Sequence, residues 1–122
     1  MRIAITAKGT DLDAEVDPRF GRCQYFVIVD PETMEFSAAE NPAASAMGGA
    51  GPLAVQEVSR LGADALVTGN LGPNAYQAVE ASGIRAYTGS TGGTVRDAVE
   101  AFRRGELAEA RGATSDSHAG MR

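Results

Sequence analysis

Residues able to do chemistry fall in three groups along the chain. The densest is Arg19-Phe20-Gly21-Arg22-Cys23, which sets two forked guanidinium groups, an aromatic ring, a glycine and a thiol side by side. As a site it would offer donors and a soft sulfur ligand to an anion such as a phosphate or a metal–sulfur cluster. Its structural alternative is a loop anchored by Phe20, with solvated arginines and Cys23 as a small buried apolar residue. The second group is three glycine-rich segments, 48–51, 69–74 and 89–94. Glycine lets backbone approach a ligand closely, and the free N–H groups at a helix start favour negative charge. Candidate binding positions are Gly69, Asn70, Gly72, Pro73 and Asn74 in one segment, and Thr91, Gly92, Gly93 and Thr94 in the next. The third group is scattered soft side chains: Cys23, Met47, His118 and Met121. Cys23 and His118 are the candidate metal ligands, and Phe20 and Met47 would serve as apolar walls.

Several chemistries are excluded by pattern. The glycine segments lack the Walker A lysine and the GxGxxG with its following acid, so ATP and NAD are not supported. One Cys and one His fall short of a zinc site. A two-metal nuclease needs carboxylates on its first strand, and Ile3-Ala4-Ile5-Thr6-Ala7 has none. There is no GxSxG elbow and no CxxC. With no acid–base or nucleophile–base pair in view, the chain reads as a non-enzyme. Asp11, Asp13, Glu15 and Asp17 lack the glycine and terminal glutamate of an EF-hand and read as a solvated acidic loop. The 16 acids against 11 bases, net −5, argue against a nucleic-acid partner. No apolar run is long enough to span a membrane, and the lone cysteine fits a reducing cytoplasm. The N-terminus reads at once as a strand rather than a signal peptide.

The elements that must position these groups follow from periodicity. Arg2–Ala7 alternates as a first strand, and Tyr25–Val29 is a nearly continuous apolar strand suited to mid-sheet. Met34–Glu40 returns as a weaker edge strand after the Asp30-Pro31 turn. Leu53, Ala54, Val58 and Leu61 have helical spacing, with Gly62 as a stop. Ala65-Leu66-Val67 is a short strand, followed by a helix opened by Pro73 and closed at Gly83. Ile84–Thr88 is a fifth strand. Val95, Ala98, Val99 and Phe102 then mark a helix whose Thr94 and Asp97 have capping-box spacing. This order predicts one α/β domain over 1–107, a five-stranded mixed sheet of order 3-2-1-4-5, and a flexible polar tail over 108–122. Winding reverses between strands one and four, and ligands of open α/β sheets bind beyond the carboxyl ends of strands at such a point. The loops there are 8–23 and 69–74, with 89–94 beside them.

Taken together, Asp17-x-Arg19-Phe20-Gly21-Arg22, Tyr25-Phe26-Val27-Ile28-Val29-Asp30, Glu40-Asn41-Pro42, Val67-Thr68-Gly69-Asn70-Leu71-Gly72-Pro73-Asn74-Ala75 and Gly92-Gly93-Thr94-Val95 resemble the dinitrogenase iron-molybdenum cofactor biosynthesis family. The resemblance spans roughly residues 1–107. It implies a ribonuclease-H-like, three-layer α/β/α fold. Members like NifX and the C-terminal part of NifB carry anionic metal–sulfur cluster precursors, and stand-alone members of the orange-protein type hold a molybdenum–copper sulfide cluster non-covalently. The resemblance thus implies a molybdenum- or molybdenum–copper-sulfide cargo, and partner proteins in cofactor delivery. Arg19 stands where many members have His, which weakens direct metal ligation there and keeps a positive charge for an anion. Two other readings stay open: a protein-docking or regulatory module, and a small-anion sensor without metal. A concave pocket among Arg19, Arg22 and loop 69–74 would favour binding, and a flat surface would favour docking.

Overall fold

The computed structural model describes residues 1–89 and 92–112. Nine elements follow in the order β1 (Ile3–Ala7), β2 (Tyr25–Val29), β3 (Phe36–Glu40), α1 (Ala50–Arg60), β4 (Ala65–Val67), α2 (Pro73–Ser82), β5 (Arg85–Thr88), α3 (Val95–Arg103) and β6 (Ala108–Glu109). They form one mixed sheet of order β3-β2-β1-β4-β5-β6. β2 runs antiparallel to both β1 and β3, β4 lies parallel to β1 and β5, and β6 is antiparallel to β5.

Alternation along the strands builds two cores. Ala4, Phe26, Ile28, Leu66 and Ala86 point to one face and pack under α1 and α2 through Ala54, Val55, Val58, Ala75 and Val79. Ile3, Ile5, Val27, Val29, Ala65 and Val67 point to the other and meet Val95, Ala98 and Val99 of α3. Every residue of β1 is buried, as expected for a strand covered on both faces. Phe102 completes the α3 side by standing edge-on to Tyr87, with ring centroids 5.1 Å apart.

Several expectations shift. The sheet has six strands rather than five, because Ala108–Glu109, assigned to the tail, pairs with Thr88 and Tyr87. β3 begins at Phe36 instead of Met34, since Met34 takes φ 64° and donates its N–H to the Asp30 carbonyl, closing a turn. α1 starts at Ala50, ahead of Leu53, behind a left-handed Gly49. Its buried stripe is Ala54, Val55 and Val58, and Leu53 faces outward at 43% exposure. The long loop 8–23 is also tied down: Val16 bridges Ala7, and Glu15 bridges Thr94.

Candidate functional site

At the carboxyl ends of β1 and β4 two threonines sit where an all-apolar sheet would have valines. The fully buried Thr6 and Thr68 hydroxyls hydrogen-bond each other at 2.9 Å, and the Thr6 hydroxyl donates to the Asp17 carbonyl at 2.6 Å. Asp17 is thereby fixed to the sheet. The chain then runs alongside loop 69–74: Arg19 bridges Asn70, and the Asn70 N–H donates to the Pro18 carbonyl at 2.9 Å. A Cβ on Gly69 would stand 2.7 Å from Pro18, so this glycine serves the approach of two chain segments.

Beyond these loops opens a cleft of about 370 Å³, within the range of small-ligand sites. Arg19, Phe20, Gly21 and Arg22 form one wall, Gly51 in the first turn of α1 the back, and Asn70, Gly72, Pro73, Asn74 and Ala75 the other wall. Small residues make this convergence possible. A Cβ on Gly21 would lie 3.1 Å from the Gly51 nitrogen, and one on Gly51 would lie 3.0 Å from the Ala75 Cβ. Phe20 is buried against Phe26, with centroids 6.0 Å apart. The N-caps of α1 and α2 are Gly49 and Gly72, and neither helix has a side-chain cap. Gly51 in the first turn of α1 and Pro73, Asn74 and Ala75 in that of α2 line the cleft, so both positive helix ends lie beside it.

The two arginines differ. Asp17, read from sequence as part of a solvated acidic loop, is buried, and its carboxylate accepts three bonds from Arg19: from the backbone N–H at 2.9 Å, and from Nε and Nη2 at 3.2 Å each. Burial alone would raise the Asp17 carboxyl. The bonds from Arg19, its charge and that of Lys8 outweigh burial and hold it below its ordinary value. Arg19 itself is raised, first by the side-chain bond to Asp17 and then by that carboxylate's charge. Arg22 instead donates Nη1 to the carbonyls of Ala44 and Ala46, pinning the chain ahead of α1. Asp13 and Glu15 pair with Arg96 and Lys8, at 3.5 and 3.7 Å.

Several sequence candidates lie elsewhere. Cys23 gives way as a ligand: it is fully buried, and burial, helped by the Asp17 charge, pushes its thiol up to about 12 against the opposing Asn41 bond. Met47 is no wall, being fully exposed and outside the cleft lining. Gly92, Gly93 and Thr94 also lie outside that lining. They close the start of α3: Thr94 and Asp97 form the reciprocal capping box, and a Cβ on Gly93 would strike the Asp97 carboxylate at 2.8 Å. The Val95 and Arg96 N–H groups donate to the carbonyls of Ala14 and Leu12. Thr91, His118 and Met121 fall outside the described residues. Asp17, Gly51 and Ala75 are not among the candidate binding residues read from sequence, although Asp17 and Ala75 stand in the motifs that carry the resemblance and Gly51 in the glycine-rich segment 48–51.

A larger hollow of about 640 Å³ lies between β3 and α1, lined by Glu40, Glu57 and Arg60 among others. Glu57 is paired with Arg60, through Nε at 2.9 Å and also through Nη2, so the remaining Glu40 charge makes this hollow acidic. An anion is better served by the cleft.

An α/β/α domain with a small basic cleft at the switch point of its sheet defines a class suited to binding an anion. Residues 1–105 match the family described as "Dinitrogenase iron-molybdenum cofactor", and the chain belongs to that family. Among solved structures, the apo form of the orange protein from Desulfovibrio gigas is similar, with a TM-score of 0.90 and 44% identity over 93% of this chain and 96% of that one. The NMR structure of a putative NifB protein from Thermotoga gives 0.76 and 40%, covering 88% and 91%. An uncharacterized protein of Methanocaldococcus jannaschii is 31% identical over 110 residues, 88% of this chain and 89% of its own length. Among the described residues no helix is long and apolar enough to cross a membrane.

Proposed function

We propose that this chain is a non-catalytic carrier that binds an anionic, molybdenum-containing metal–sulfur cluster in the cleft between the starts of α1 and α2. The observation that carries the reading is the donor set. The starts of two helices without side-chain caps, together with Arg19, Arg22, Asn70 and Asn74, line one concavity. Its remaining lining is Phe20, Pro73, Ala75 and glycines. A thiometallate is bulky, polarizable and negative. Its sulfides accept N–H bonds and lie against apolar walls, and need no coordinate bond from the protein. The described lining holds no Cys, His or carboxylate. Cargo held this way leaves without breaking a metal–ligand bond, which suits delivery to a partner protein in cofactor assembly. The proposed setting is the reducing cytoplasm.

Anaerobic reconstitution with tetrathiomolybdate and copper(I), followed by desalting, tests this. A new visible absorption band with molybdenum and copper retained by elemental analysis is expected; a featureless spectrum refutes the reading. A docking module is the second reading, favoured by the exposed Met47 and Leu53 before and within α1. On that reading the desalted protein carries no metal.

A further inference from the structure

The cleft's cationic group is held by a buried anion. Arg19 has an exposed side chain, whereas the Asp17 side chain beside it is 3% exposed. The carboxylate takes Arg19 side-on: Oδ1 accepts from both the backbone N–H and Nε, and Oδ2 accepts from Nη2. A guanidinium has five N–H groups, so this pairing leaves three, on Nη1 and Nη2, not engaged by Asp17, on a residue that lines the cleft. The backbone that carries this carboxylate is fixed, because the Thr6 hydroxyl holds the Asp17 carbonyl, the Asp17 N–H donates to the Thr6 carbonyl, and Pro18 is paired to Asn70; the side chain itself is packed at 3% exposure. Lys8 and Arg22 line the adjoining hollow with Asp17 and Arg19, so three bases there face one buried acid.

We propose that Asp17 is a positioning residue for anion binding: it clamps the Arg19 guanidinium in one orientation, so that the free edge of the fork meets the cargo in the cleft. This rests on the cluster-carrier reading and adds to it a specific role for a residue of the same sign as the ligand. Counting charge alone, removing Asp17 should tighten an anion. On the clamp model, removing it weakens the anion, because Arg19 then pays the entropy of ordering a long side chain at each binding event.

The test is equilibrium dialysis of the intact protein against tetrathiomolybdate, with molybdenum measured by elemental analysis. Arg19→Gln is expected to weaken binding by about 10- to 100-fold, the range for a hydrogen bond to a charged group. Asp17→Asn keeps an oxygen for the Arg19 backbone N–H and turns an amide toward the guanidinium. It is expected to weaken binding by about 5-fold or more, although the net charge becomes more positive. The double variant should bind like Arg19→Gln alone, since the two act as one unit. Equal or tighter binding by Asp17→Asn overturns the proposal, as does a double variant whose losses multiply, which would mark a structural role independent of Arg19. Arg19→Lys provides a control that leaves Asp17 in place: it keeps the charge and loses the fork, and wild-type affinity in this variant also overturns the proposal. If the wild-type protein retains no thioanion, the carrier reading fails, and the clamp is read without ligand. The Arg19 Nε–H should then be protected from exchange in NMR spectra of the wild type and lose that protection in Asp17→Asn. An unprotected Nε–H in the wild type removes the clamp.

Discussion

Three helices begin at the same edge of the sheet, and the chain treats their starts in two ways. At α3 the first turn is closed by protein. Thr94 and Asp97 cap each other, and the carbonyls of Leu12 and Ala14 take the Arg96 and Val95 N–H groups. At α1 and α2 the N-caps are glycines with no side chain to offer, and both first turns open on the cleft beside Arg19 and Arg22. A helix start exposes unsatisfied donors whatever its sequence. Where a Thr and a loop are supplied, those donors hold the fold together; where glycines are supplied, no side chain caps the helix, which is what the proposed anion site requires. The glycine-rich segments that look alike in sequence therefore do different work. Gly93 makes room for a capping carboxylate, and Gly21 and Gly51 let two helix ends and a loop converge.

The position that joins both sides to the sheet should give the largest effect. Gly69→Ala places a Cβ 2.7 Å from the Pro18 backbone, which cannot yield as a side-chain tip can. Forcing segment 17–19 away from Asn70 is expected to lower stability by about 2 kcal/mol, within the range for overpacking. It should also reduce thioanion affinity by displacing Arg19. Urea unfolding and dialysis on the same sample measure both, and a stable variant with full affinity would show that the close approach is incidental.

Helix starts on the two sides should then separate the readouts. Thr94→Ala is expected to cost about 1 kcal/mol, a typical loss for an N-cap, and to leave thioanion affinity unchanged. Asn74→Ala in the first turn of α2 should do the reverse, weakening the anion by about 2- to 10-fold, as for a neutral hydrogen bond, with little change in melting temperature. If Thr94→Ala weakens binding as much as Asn74→Ala, the α3 side belongs to the site and the contrast collapses.

Acid sharpens the comparison further. Burial raises the Asp17 carboxyl, and the Arg19 bonds with the Arg19 and Lys8 charges more than reverse this, so its folded value lies below the ordinary 3.8. A group depressed in this way contributes stability above its unfolded value and loses it as pH falls through the folded one. Wild-type stability should therefore decline below about pH 4, and part of that decline should be missing in Asp17→Asn. A wild type and an Asp17→Asn variant with identical acid profiles would detach Asp17 from the fold's ion pairing.

Most of the architecture was legible because it rests on period. The strands of β1 and β2, the i, i+3, i+4, i+7 spacing of α3 and its Thr94–Asp97 box all announce themselves locally. The strand order then brings loops 19–22 and 69–74 to one place, since both leave the carboxyl edge where winding reverses. What stayed hidden depends on contacts. Ala108–Glu109 is too short to show a pattern and is a strand only through β5. Ala50-Gly51 looks like flexible loop, and becomes helix because Gly51 packs on Ala75. Asp17 resembles Asp11, Asp13 and Glu15 along the chain; the buried Thr6 contact and the Arg19 fork set it apart.

Cys23 should give the smallest effect on binding, and for that reason it tests where the site ends. From sequence it is the natural soft ligand, adjacent to Arg22. In the fold it turns into the α1–α2 core, while Asn41 donates to its carbonyl at 2.8 Å and approaches its sulfur at 3.6 Å. With burial pushing the thiol up to about 12, it is protonated throughout the neutral range. A buried, protonated thiol is a poor metal ligand and a slow nucleophile. A thiol reagent at pH 8 should label Cys23 at the rate of local opening, far below a free thiol and rising steeply with urea. Cys23→Ala should cost about 1 kcal/mol for the lost sulfur packing, and keep thioanion affinity within about 2-fold of wild type. Loss of the visible band in this variant would move the cargo from the donor-lined cleft to a sulfur ligand, and the division between open and closed helix starts would no longer mark the site.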